Sequence, residues 1–383
     1  MTIKSLSMCM TLGLILASSC ISNSMLTNEV TVNKFTDVID ISSLADSIHV
    51  IKPSSHETNS IISRVDRVLS MNDRIYIVDR ASNKLFCFDH NGNFISSTKS
   101  IIGHGKMEYT RLMDATVDPS NSTVYLFCDA TYKIIKLDAD LNALESFSFD
   151  DLFYEIAITG DYLYALCKNK DSYELRQYNT KDMNGKYNIL LKNTEIIHGV
   201  FSIGKSMNSD GSVCHIALPF SNKLHRINNN IIENETTIDF ESYWFDYDKN
   251  KKLAGSKFID ATSDKMWIIM NHVVTDSITL FNTNETGIVS ISANGQASIN
   301  REVINKDFPF TSTLIYPLGG VNGAAVTVAE NDHITRYKKI CKENNIALSD
   351  DSNPINKWVR DYTPTDNPIL VIEYLKGRSE SKK

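Results

Sequence analysis

Short apolar runs bounded by polar or turn residues recur through the middle of the chain. Each begins with a polar or glycine residue and an apolar one. Two variable residues follow, then an apolar one, then Asp, Asn or Ser. Lys84-Leu85-Phe86-Cys87-Phe88-Asp89 is the first copy, and Lys133-Ile134-Ile135-Lys136-Leu137-Asp138 the second. Residues 174–179, 223–228 and 287–292 repeat it, at intervals of 49, 41, 49 and 64 residues. A second strand-like run stands ahead of each copy, at 74–79, 124–129, 162–166, 213–218 and 265–270. Turn signals such as Asp89-His90-Asn91-Gly92-Asn93 and Ala293-Asn294-Gly295 follow several copies.

The two apolar positions of each copy point to opposite faces of a strand, so both faces must be covered. A four-stranded sheet packed between copies of itself meets that demand. A period of 40 to 50 residues is the signature of a β-propeller. Five copies span about residues 62–300, and runs at 314–318 and 323–328 supply a sixth. The predicted fold is all-β: a six-bladed β-propeller closed by pairing a final strand at 367–376 with an N-terminal strand near Ile48-His49-Val50-Ile51. One helical insertion is expected, capped by Asp332 and carrying Ile334, Tyr337, Cys341 and Leu348 on one face.

The N-terminus reads as an address. Lys4 is the only charge before Glu29, Met8 to Ala17 is apolar, and Ala17-Ser18-Ser19-Cys20 resembles a bacterial lipobox. The apolar stretch is too short to span a bilayer. Residues 1–19 are therefore expected to be a lipoprotein signal peptide, with an ordinary signal peptide cut elsewhere as the alternative. Residues 20–40 would be the lipidated Cys20 and a polar tether, and 41–383 a single propeller domain. Besides Cys9 and Cys20, the five remaining cysteines (Cys87, Cys128, Cys167, Cys214 and Cys341) are widely spaced and contain no C-x-x-C. They read as small buried hydrophobes.

With these features the chain resembles the six-bladed β-propeller lipoproteins of Bacteroidota, related in architecture to NHL-repeat propellers. The resemblance rests on Cys20, Asp73-Arg74-Ile75-Tyr76-Ile77-Val78-Asp79, the hairpin from Phe88 to Phe94, Gly103-His104-Gly105-Lys106-Met107-Glu108-Tyr109, and the closing Asp366 to Ile372. In the glycine loop, Lys106 and Met107 stand where the family has Pro-Gly. The resemblance implies a fold and no shared activity. The frequent occurrence of members near polysaccharide-use systems implies a glycan as one ligand class. Family members sent to the cell surface resemble one another in acidic residues after the cysteine, and Ile21-Ser22-Asn23-Ser24 lacks them. The expected location is thus the periplasmic face of the outer membrane.

A net charge of −7 in 383 residues argues against a nucleic-acid partner. Catalytic signatures are missing: no G-x-S-x-G, H-E-x-x-H, P-loop or G-x-G-x-x-G occurs. Nine histidines are scattered without a close pair in sequence. Asp79, Asp129, Asp114 and Asp260 recur near blade strands and are read as turn caps, with Ca²⁺ in the central channel as the alternative. Tyr243-Trp244-Phe245-Asp246-Tyr247 is the densest aromatic run. Tyr243, Trp244 and Tyr247, with His104, Glu108 and Tyr109 of the glycine loop, are the candidate ligand-binding residues. The sequence predicts a lipid-anchored, non-catalytic binding protein that recognises a glycan, peptide or protein partner. The rivals are a metal-dependent propeller hydrolase or lyase, and a structural subunit of an envelope complex.

Overall fold

The structure is a computed structural model. It describes residues 26–378 apart from 131, 184–185, 201–203, 285–286, 312–313 and 350–353. Residues 1–19, expected to be a signal peptide, and Cys20 lie outside the described residues.

Three strands come first: β1 (Leu26–Thr31), β2 (Phe35–Asp40) and β3 (Ala45–Ile51). Groups of antiparallel strands follow. The first holds β4 (Arg67–Met71), β5 (Arg74–Asp79), β6 (Lys84–Asp89) and β7 (Phe94–Ser97). The second holds β8 (Leu112–Asp118), β9 (Thr123–Cys128), β10 (Lys133–Asp138) and β11 (Ala143–Ser148). The third holds β12 (Phe153–Thr159), β13 (Tyr162–Lys168), β14 (Tyr173–Asn179) and β15 (Asn188–Asn193). The fourth holds β16 (Met207–Ser209), β17 (Val213–Ile216), β18 (Lys223–Asn228) and β19 (Ile231–Asp239). The fifth holds β20 (Met270–Val274), β21 (Ile278–Asn282), β22 (Ile288–Ser292) and β23 (Ala297–Ile304). Last come β24 (Tyr316–Gly319), β25 (Ala324–Ala329) and β26 (Ile369–Leu375).

The sheets form a β-propeller. Strand β3 pairs antiparallel with β26, from Ile51 opposite Leu370 to Ala45 opposite Leu375. The chain's two ends therefore close one sheet together, as its sequence predicts. That sheet joins the first group through a two-residue parallel pairing of β24 with β4, giving eight continuous strands.

The repeat has the packing its pattern demands. In β6, Leu85 and Cys87 enter the apolar layer shared with the second sheet, beside Leu126 and Ile135. Phe86 and Phe88 enter the opposite layer, beside Val326 and Ile372 of the closing sheet. One strand thus serves two cores. All five described cysteines are buried and free.

Three expectations need correction. Part of the expected tether is strand: β1 adds parallel to β19, and β2 parallel to β23. These pairings cover edges that would otherwise expose unpaired backbone groups, and the intervening Val32 is fully buried beside Ile238 and Phe240. The run at 265–270 is not the second strand of its sheet. That place belongs to β21, while Trp267, Ile268 and Ile269 pack as irregular chain. An apolar run signals burial, and burial alone does not make a ladder. Finally, the insertion contains two helices, α1 (Asn331–Glu343) and α2 (Pro354–Asp361). Glu330 caps α1 in a capping box with His333, in place of Asp332, and Leu348 lies beyond the helix end.

Candidate functional site

The inner strands β4, β8, β12, β16, β20 and β24 surround the centre of the molecule. Near their first residues the strands are joined by side chains. Arg67 Nη1 donates to both carboxylate oxygens of Asp114, at 3.0 and 2.9 Å, and to the carbonyl of Ile156. Lys205 Nζ donates to Asp114 at 2.9 Å, and the Ile156 amide donates to the same carboxylate at 3.0 Å. Glu155 accepts from the backbone N–H groups of Ser206 and Met207. The Asn271 side chain accepts from the Lys205 amide at 2.8 Å. Burial works to raise the Asp114 carboxyl, but Arg67, Lys205 and the Ile156 amide outweigh it and hold the group below its usual range. Glu155 lies equally deep. There burial prevails, only partly offset by Lys205, and the carboxyl is raised.

Above this girdle is a cavity of about 370 Å³, within the usual size of small-molecule sites. Arg64, Arg80, Lys205, Tyr154, Ser206 and Tyr316 contribute to its walls. Asp66 lies between Arg64 and Arg80, which hold its carboxyl low against the opposing effect of burial. Arg80 donates to Asp66 through Nε and Nη2, which leaves Nη1 outside that pair. Ser206 is fully buried, and its hydroxyl has no hydrogen-bond partner among the described residues. The mouth therefore combines cationic donors, half-buried tyrosine rings and an unspent hydroxyl, as an orienting binding pocket requires.

None of the six residues singled out in the sequence lines this cavity. Tyr243 is partly exposed and meets the ring of Phe35 edge-on at 4.9 Å. Trp244 is half-buried and stacks on Phe240 at 5.3 Å, and the Tyr247 hydroxyl reaches the carbonyl of Thr194. The glycine loop is a structural latch. Glu108 accepts from the Gly105 amide at 2.8 Å, and a Cβ on Gly103 would lie 2.1 Å from the Glu108 carboxylate. Tyr109 is fully buried, with its hydroxyl bonded to Asn83 and Thr98, so its ring has no open face. Lys133 Nζ donates to the loop carbonyls of Gly105, Lys106 and Glu108. Its ammonium holds this loop shut. His104 is exposed beside it.

The aspartates separate. Asp79 accepts from the amides of Ser63 and Ser82 as a turn cap, Asp129 pairs with Arg111, and Asp260 lies on a short helix (Ser256–Ala261). Only Asp114 reaches the centre, where two cations and an amide engage it. Among the described residues, no three His, Cys, Asp or Glu side chains are placed to hold a metal ion. His215 and His272, distant in sequence, meet at 6.4 Å between the fourth and fifth sheets, away from the mouth.

Arg80 follows β5, and the other mouth residues named above escaped sequence reading because they lie just before or at the start of inner strands. Those strands (RVLSM, LMDATVD, FYEIAIT, MNS) share no pattern. Aligning the repeats on β6, β10, β14 and β18 and stepping back to each inner strand is the signal that leads to them.

Among known structures, the fold is similar to that of a protein described as exported from Bacteroides fragilis. The match has a TM-score of 0.70 and 16% identity, and covers 91% of this chain and all of that one. It is more distantly similar to the WD40 domain of Neurospora crassa Pan2, with a TM-score of 0.42 and 9% identity over 82% of this chain and 77% of that one. BamB from Moraxella catarrhalis matches with a TM-score of 0.37 and 12% identity, over 71% of this chain and 74% of that one. No curated protein matches the sequence. The family described as "Domain of unknown function (DUF4934)" matches residues 27–373, and the chain belongs to that family.

Proposed function

We propose that this is an exported, lipid-anchored, non-catalytic binding protein of the cell envelope, acting from the periplasmic face of the outer membrane. The mouth of the central channel recognises a glycan, peptide or protein partner. Dividing the eight-stranded sheet at its two-residue β24–β4 junction gives six blades, which supports the six-bladed count. The lipobox-like Ala17-Ser18-Ser19-Cys20 supports the anchor, and the exported Bacteroides relative in fold is in keeping with it.

The observation that carries the binding reading is the cavity itself, where Arg80, Lys205 and the Ser206 hydroxyl stand with Tyr154 and Tyr316 around the ends of strands, Lys205 and Ser206 being fixed through their amides by Asn271 and Glu155. Rigid elements hold such groups without the ordering cost of a loop. Glycan and peptide arrays probed with the purified protein should yield a ligand. Tyr154→Ala and Arg80→Ala should each weaken its binding at least tenfold, about 1.4 kcal/mol, with the unfolding midpoint close to that of the wild type. Undiminished affinity in both variants would remove the mouth as the site.

A further inference from the structure

The way the N-terminal segment joins the sheets bears on how the molecule is presented. Strand β1 runs parallel to β19, with Leu26 opposite Asn234 and Thr31 opposite Asp239. In the fourth sheet, the mouth lies at the ends near Ser206, Ile216 and Lys223, and the far side at Cys214, Asn228 and Ile231. Because β19 starts at Ile231, a parallel β1 is entered from the far side and runs toward the mouth side. The chain then continues into β2 and β3, pairing in turn with the fifth and the closing sheets. A pull on the N-terminus is therefore borne by three sheets.

Only six residue steps separate Cys20 from Leu26. At ~3.3–3.6 Å per residue they reach at most about 20 Å, roughly the length of one strand. We propose that the face remote from the mouth is held against a lipid bilayer, so that the cavity opens toward the aqueous space. This rests on the reading of Cys20 as the acylated residue. The far-side hairpin of the fourth sheet, Asn228-Asn229-Asn230, is polar and uncharged, and Asp210 lies on the same side. These loops supply neither a basic cluster nor an apolar wedge, so acyl chains must provide the attachment.

The test uses the full-length lipoprotein with one added cysteine, Ile231→Cys on the far side or Asp171→Cys beside the mouth residue Tyr173. Both positions are exposed. The five described native cysteines are buried, so a maleimide dye labels the introduced thiol. Mass analysis of the N-terminal peptide first establishes acylation of Cys20. Each labelled protein is then reconstituted in phosphatidylcholine–phosphatidylglycerol vesicles carrying an energy-transfer acceptor on a lipid headgroup. The Ile231 probe should transfer several-fold more efficiently than the Asp171 probe. Equal or reversed transfer in an acylated protein overturns the orientation while the anchor stands. An N-terminus without acyl chains overturns the anchor reading, and the orientation with it.

Discussion

Glu373 is a carboxyl group in a place that disfavours its charge. It lies on β26 between Ala325 and Ile48, fully buried. One carboxyl oxygen accepts from Asn305 at 2.7 Å and Thr327 at 3.0 Å, while the other has no partner among the described residues. Burial pushes its pKa up to about 8, with the two hydrogen bonds only partly opposing that. In the unfolded chain the group ionises near 4.5. Between these values the folded protein holds a proton that the unfolded chain releases, so stability falls as pH rises from about 4.5 to about 8. At ~1.4 kcal/mol per unit, the full penalty approaches about 5 kcal/mol above pH 8, an upper bound because a buried charge draws in water and relaxes its surroundings. Glu373→Gln keeps the shape and the doubly bonded acceptor, and it cannot ionise. Urea unfolding followed by tryptophan fluorescence at pH 5, 7 and 9 reads the difference. The variant should match the wild type near pH 5 and gain a few kcal/mol by pH 9. A wild-type-to-variant difference that stays constant across this range would refute the argument.

Other expectations follow from the same structure. His215, His225 and His272 are depressed to about 3, 4 and 4, chiefly by burial. Stability should therefore be lost as pH falls below 6.5, opposite in sign to Glu373; His272→Gln should flatten the acid limb of the urea midpoint, and an unaltered limb would count against it. Arg67→Met leaves the fully buried Asp114 with one cation in place of two, and should cost about 3 kcal/mol or more in unfolding free energy. Gly320 has φ +83°, and a Cβ there would sit 2.1 Å from the Ser70 carbonyl oxygen. Gly320→Ala should lose roughly 1–3 kcal/mol from backbone strain alone, and an unshifted melting curve would contradict the geometry.

Much of the fold is legible in the sequence, because strands that bury both faces write their pattern twice. Residues 84–89, 133–138 and 223–228 are strands over the very bounds their pattern predicts. The closing strand and its N-terminal partner are legible because an unpaired final strand needs an edge to join. The mouth proposed to bind is not legible. Arg64, Lys205 and Tyr154 belong to different repeats and to no shared motif, and only the ring brings them together. Trp244 and Tyr109 stand out among aromatic residues in the sequence. One is stacked on Phe240 and the other is sealed inside the first two sheets' shared core.

By itself, the sequence determined that the chain builds repeated sheets, where most of their strands lie and which faces those bury. These are local properties, set by the two-residue period of a strand and the conformations of turn residues. Only the tertiary structure decided that β1 and β2 cover sheet edges, that Asp114 meets Arg67 and Lys205, and that Glu373 has no counter-charge among the described residues. Each of those depends on residues far apart in the chain meeting at one point. No local pattern encodes that, because it arises from closing the ring.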